Sequence, residues 1–277
     1  MSFLQITYFA KALMRQTTFH MYLPNDIPQE AKAENRNFDR PTKALYLLHG
    51  FSGNTINWVN GSLAQEWSDA YNLAIVMPSG DNSFYIDARG TGHAYESFIG
   101  EDLVAYVTKT FGLSAKKEDT FIGGFFFGGG GGGSKGAIHT GLLHPDRFGK
   151  VFGLSSALII HDIAGMKPGT KNDIADYDYY EGIFGDLEKI EESEHNPEYL
   201  VKKLKAEGKE IPPIFMACGT EDFLLKNNRD FRDFLVSEKV DLTYKESAGI
   251  HEWKFWNEYL EPAIRWLLDL GEAGSCQ

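Results

Sequence analysis

Four short segments carry residue types that could do chemistry together. Leu47-Leu48-His49-Gly50-Phe51-Ser52-Gly53 follows an apolar run, and a His-Gly turn at a strand end lets backbone N–H groups face a cleft. Gly132-Gly133-Ser134-Lys135-Gly136 is a literal G-x-S-x-G, the pattern of a serine held on a tight strand-to-helix turn. Cys218-Gly219-Thr220-Glu221-Asp222-Phe223 places acids just past another apolar run, with Glu221 as neighbouring competitor to Asp222. Ala248-Gly249-Ile250-His251-Glu252-Trp253 supplies a histidine 29 positions after Asp222. A hydroxyl, an acid and an imidazole in this chain order suit nucleophilic acyl transfer: His251 as general base, Asp222 as its orienting acid, Ser134 as nucleophile.

Those segments need a scaffold that brings them to one edge. Ala44–Leu48, Leu73–Met77, Thr120–Gly123, Val151–Ser155 and Ile214–Cys218 are short apolar runs ended by turn residues, as expected of strands buried on both faces. Leu242–Glu246 is a further strand, and Leu4–Phe9 with Thr17–Leu23 alternate like a hairpin. Helical spacing over Asn60–Tyr71, Tyr95–Phe111, Gly136–His144, Arg229–Val236 and Glu252–Leu270 separates the strands, while Pro28–Thr42 reads as a loop. The alternation predicts an α/β fold with a mostly parallel central sheet. Residues 1–277 read as a single domain. Residues 160–213 interrupt the rhythm and are expected to form a small cap insertion of helices over one end of the sheet.

Composition narrows the function classes. The 277 residues carry 27 Lys and Arg against 39 Asp and Glu, a formal charge of −12, which disfavours nucleic acid and anionic membrane surfaces. No apolar stretch approaches the length of a membrane span, and the start lacks a secretion signal. Two cysteines, Cys218 and Cys276, fit a reducing compartment, so a cytoplasmic location is expected. No His/Cys cluster has metal-ligand spacing, and the glycine run lacks the ending of a phosphate loop, so neither metal nor cofactor is expected. His49 reads as a turn histidine, and Ser155 and Ser156 as structural or pocket-lining. Trp58, Tyr95, Trp253 and Trp256 are candidates for either pocket or core, with Trp58 and Trp253 assigned to substrate binding.

Read whole, the chain resembles the esterase D and S-formylglutathione hydrolase group of α/β-hydrolases, most of all the bacterial acetyl esterases of the tributyrin-esterase type. The resemblance rests on YLLHGFSGN at Tyr46–Asn54, NWVNGS at Asn57–Ser62, YESFIGEDL at Tyr95–Leu103 and TFIGGF at Thr120–Phe125. HPDRFGKVFGLSSAL at His144–Leu158, GTEDFLL at Gly219–Leu225, and HEWKFW with RWLLDL near the end complete it. It implies an α/β-hydrolase fold and a serine carboxylesterase acting on short acyl esters, small molecules, through an acyl-enzyme. A thioesterase of the S-formylglutathione hydrolase type is the alternative within the group. It also implies Asp222 as triad acid, His251 as base, and the Phe51 amide as one oxyanion donor. The second donor is the residue after the nucleophile, Lys135 if that nucleophile is Ser134. Relatives of this kind often associate into homo-oligomers.

The elbow departs from the group's pattern, roughly G-G-(L/F)-S-M-G-G-Y-G-A. Counted from the upstream strand, the nucleophile position is Phe126; counted back from His144-Pro145, it is near Gly131. Nine of the chain's 29 glycines lie within Gly123–Gly136, and Gly130–Ser134 has the composition of a flexible linker. Three readings stay open: Ser134 as a displaced nucleophile, a catalytically impaired binding relative, or a segment foreign to the natural sequence.

Overall fold

A computed structural model describes residues 1–125 and 132–271. Eight strands form one sheet in the order β1-β2-β4-β3-β5-β6-β7-β8. β1 (Ser2–Ala10) and β2 (Arg15–Leu23) make the expected hairpin, and β2 joins β4 (Leu73–Pro78) antiparallel. β3 (Lys43–Leu48), β5 (Thr120–Phe125), β6 (Lys150–Leu154), β7 (Ile214–Gly219) and β8 (Leu242–Ser247) continue in parallel. The central strands β4, β5 and β7 are buried along their whole length, which is why they read as unbroken apolar runs.

The segment read as a loop holds a short helix, α1 (Gln29–Ala33), and one 3-10 turn. Its five residues hold no large apolar side chain and none is buried, so it carries no apolar periodicity to signal it. The helix expected over Asn60–Tyr71 is divided into α2 (Asn57–Gly61) and α3 (Ala64–Tyr71). α4 (Tyr95–Ser97) runs through a π-helical stretch, Phe98–Leu103, into α5 (Val104–Phe111), burying Phe98, Leu103, Val104 and Val107. α6 (Gly133–Leu143) follows β5. The insertion holds α7 (Ile160–Ile163), α8 (Tyr177–Phe184) and α9 (Pro197–Ala206); α10 (Leu225–Ser237) and α11 (Trp253–Leu267) complete the chain.

Two apolar layers cover the sheet. One gathers α5, α6, α9 and α10 around Ile122, Val151 and Met216; the other holds Trp58, Phe125, Phe152 and Trp256 beneath α3 and α11. A third, smaller cluster of Phe84, Ile86, Ile160, Ile163, Tyr180 and Phe184 ties the insertion to the loop after β4. The loops after β3, β7 and β8 therefore meet at the carboxyl edge of the sheet, where open α/β sheets place ligands.

Candidate active site

The acid and base are brought together. Asp222 closes a turn after β7, its N–H donating to Gly219 O at 3.1 Å, and His251 follows β8. The two loops touch so closely that a Cβ on Gly219 would lie 2.1 Å from Gly249 O. His251 Nδ1 donates to Asp222 Oδ2 at 2.8 Å, and the Leu224 N–H holds Oδ1 at 2.9 Å. The Asp222 side chain is fully buried and that of His251 only 11% exposed. Burial pushes the Asp222 carboxyl up, but the His251 hydrogen bond and charge, the Leu224 amide and the Ser155 hydroxyl outweigh it and hold the group below its ordinary range. It is thus an ionised acceptor that fixes which imidazole nitrogen carries the proton.

Glu221, the sequence competitor, does something else. It accepts from Gly249 N at 2.6 Å and from the Thr220 hydroxyl at 2.8 Å, pinning the loop that carries His251. Ser155 adds a role the sequence reading left open between structure and pocket. It sits just past β6 with φ of +48°, strained for a residue with a side chain, and its amide donates to Ala217 O at 2.8 Å. Its hydroxyl meets Asp222 and accepts from Trp256 Nε1 at 3.1 Å, while Trp256 packs edge-on against His251. A strained serine at a strand end is the one local signal of this role, and only φ reveals it.

The His-Gly turn lies opposite. His49 Nδ1 donates to Gly50 O at 2.6 Å, and its Nε2 accepts from Gly80 N at 2.9 Å, so the ring is neutral and structural. Burial holds its pKa down at about 4. Phe51 is half-buried, and its amide is engaged by no hydrogen bond among the described residues, as an oxyanion donor requires. Beside it, the Ser52 N–H donates to Asn82 Oδ1 at 2.8 Å and the Phe51 ring meets Tyr179. Asn82, Tyr95, Tyr179 and Ile183 line a groove of about 400 Å³ there.

Trp58 and Trp253 differ. Trp58 is 1% exposed, and its Nε1 donates to Leu48 O at 3.1 Å; it props the end of β3 rather than forming an open pocket wall. Trp253 is partly exposed and stacks among Phe125, Trp58 and Trp256.

Ser134 is not joined to this pair. It lies in the first turn of α6, fully buried, with its Cβ 3.5 Å from where a Cβ on Gly153 would stand. Its Oγ has no hydrogen-bond partner among the described residues. α6 begins so close to the sheet that a Cβ on Gly133 would fall 2.4 Å from Leu48 O and 2.5 Å from Phe125 O. The Lys135 side chain turns under the insertion, its Nζ 5.1 Å over the Phe184 ring. Phe126 and Gly131, the two counted nucleophile positions, lie outside the described residues.

The chain is similar to known proteins over nearly its whole length. The family model described as "Putative esterase" matches residues 10–267. An acetyl esterase of Caldicellulosiruptor saccharolyticus is 40% identical over 267 residues, 96% of this chain and 98% of that protein. The solved structure of FphF, a fluorophosphonate-binding serine hydrolase of Staphylococcus aureus, superposes with TM-score 0.79 at 27% identity, covering 98% of this chain and 99% of that one. The S-formylglutathione hydrolase FrmB of Staphylococcus aureus gives 0.78 at 29% identity over 96% and 98%.

Proposed function

The chain belongs to the esterase family and is a carboxylic ester hydrolase of α/β-hydrolase fold, and from that premise we propose that it hydrolyses short acyl esters, acetate esters above all, with Asp222 and His251 as acid and base. The observation that carries the assignment is the buried Asp222–His251 hydrogen bond at 2.8 Å, on the same sheet edge as the Phe51 amide, which no described residue engages. His251 removes the proton of the attacking hydroxyl and later returns it to the leaving alcohol. Asp222 stabilises the imidazolium, and the Phe51 N–H stabilises the oxyanion. A water then takes the hydroxyl's place and releases the acid. The groove beside Tyr179 and Asn82 receives part of the substrate.

Ser134 is the nucleophile in this proposal, because Phe121–His139 contains no other serine or threonine. To reach His251, the first turn of α6 must open and turn the hydroxyl out of its buried position. The conformational freedom that glycine regains on opening lowers its cost. Cys218 does not compete, since burial, with the nearby Asp222 and Glu246 charges, pushes its thiol well up. The buried, unpartnered Oγ of Ser134 also favours a second reading, a relative that binds esters but turns them over slowly.

Fluorophosphonate labelling followed by tryptic peptide mass spectrometry separates the two. An adduct on the Glu118–Lys135 peptide is expected, together with turnover of a chromogenic acetate that is lost in His251→Ala. Absence of any adduct on folded protein selects the binding reading, and an adduct on the peptide holding Ser155 and Ser156 moves the nucleophile there. Acetyl thioesters assayed beside acetate esters decide between the oxygen-ester and thioester alternatives. The net charge of −12 and the buried free Cys218 support a cytoplasmic protein without nucleic-acid or membrane partners. Sedimentation tests the expected homo-oligomer.

A further inference from the structure

A cluster of basic groups lies where α6 meets the insertion, and the hydrolytic reaction does not use it. Lys135 is fully buried, and its amine finds no hydrogen-bond partner among the described residues. One face of the amine looks onto the Phe184 ring at 5.1 Å, an arrangement that favours the charged form. One turn on, His139 is 2% exposed; its Nε2 donates to Glu194 O at 2.9 Å, which leaves Nδ1 without a partner. His195 closes the cluster from the insertion, its ring 6.3 Å from that of His139 and 6.0 Å from Phe184.

The acids in reach are committed elsewhere. The Glu194 carboxylate pairs with Lys203, and Asp87 holds the Ser97 amide and hydroxyl. His144, the remaining neighbour, pairs with Glu96 at 2.5 Å. Three bases thus lie together, and among the described residues no acid pairs with Lys135 or with His139 Nδ1. As the cluster stands, burial holds the Lys135, His139 and His195 pKa values down. Buried polar groups are partnered as a rule, and an unpartnered ammonium beside two imidazoles is complementary to a negative ligand.

We propose that Lys135, His139 and His195 form a binding site for one small monovalent anion, a halide or a short carboxylate, beneath the α8 helix. The anion accepts from Lys135 Nζ and from protonated His139 Nδ1, and it supplies the charge that the fold leaves out. Since His139 must take up a proton before its Nδ1 can donate, binding tightens as pH falls toward the ordinary histidine range.

The test is the melting temperature of the whole protein in sodium chloride, sodium acetate and sodium gluconate at equal ionic strength, at pH 8 and pH 6. Chloride or acetate is expected to raise Tm by about 3 °C over bulky gluconate, more at pH 6 than at pH 8. The salt that gives the larger rise identifies the anion. In Lys135→Met the difference disappears. Chlorine-35 NMR of the unmodified protein gives a second readout, line broadening by the protein that acetate reverses, and it needs no variant to fold. Equal Tm values in all three salts, a gain that ignores pH, a gain retained in Lys135→Met, or no broadening would each overturn the site.

Discussion

The two halves of the site are built to opposite standards. Around Asp222 and His251 the named polar groups are cross-braced: Leu224, Ser155 and His251 hold the carboxylate, Glu221 holds the Gly249 amide, and Trp256 holds Ser155. Along the first turns of α6 the polar side chains are buried, and among the described residues Ser134 Oγ, Lys135 Nζ, His139 Nδ1 and Thr140 Oγ1 lack partners. A buried polar group without a partner costs about 1–3 kcal/mol. The acid–base half is therefore preorganised in the described conformation, whereas the nucleophile half must change before it can react.

Breaking the braced half has the largest effect. His251→Ala is expected to lower kcat/KM for a chromogenic acetate by about 10³–10⁴-fold, with the fold retained by circular dichroism. Asp222→Asn follows closely, because the imidazole loses the carboxylate that selects its tautomer. Asp222 also carries a pH dependence. Its folded pKa lies below the unfolded value, so its contribution to stability is complete above about pH 4 and is lost as pH falls through the folded pKa. Acid titration of Tm should show that loss reduced in Asp222→Asn.

The unbraced half answers with a change of opposite sign. Ser134→Ala removes a buried hydroxyl that has no partner, so the variant is expected to be more stable by about 1 kcal/mol in urea unfolding. It should also lose ester turnover as completely as His251→Ala. Greater stability with full activity would detach Ser134 from the chemistry and leave the contrast purely structural.

A smaller effect comes from Ser155→Ala. Without the hydroxyl, the Asp222 carboxylate is held less firmly, and the acid limb of the pH–rate profile moves upward. A tenfold loss in kcat is the expected scale, about that of losing an outer hydrogen bond to a catalytic group. The least is expected from Trp58→Phe, which keeps an aromatic ring but gives up the bond to Leu48 O. A stability loss of about 1 kcal/mol with nearly unchanged kcat would fix Trp58 as a prop.

The central strands were legible because each is a short apolar run closed by turn residues, and the β1–β2 hairpin because its residues alternate. α1 was not, since it buries nothing. Asp222 and His251 were legible because each follows a strand in a turn that opens with a glycine. The choice of Asp222 over Glu221 was open, since both occupy the same turn and only their directions differ.

By itself, then, the sequence determined an α/β sheet, the loops at its carboxyl edge, and an acid–base pair in the order of an esterase. Those features are local: an apolar run, a glycine, an acid or an imidazole just beyond it. The tertiary structure alone decided that His49 is a neutral strut, that Ser155 steadies Asp222, and that Glu221 clasps a backbone amide. It also decided that Ser134 and Lys135 are buried without partners. Hydrogen bonds and burial depend on atoms supplied by distant segments, and Asp222 and His251 themselves meet at 2.8 Å only because β7 and β8 lie side by side.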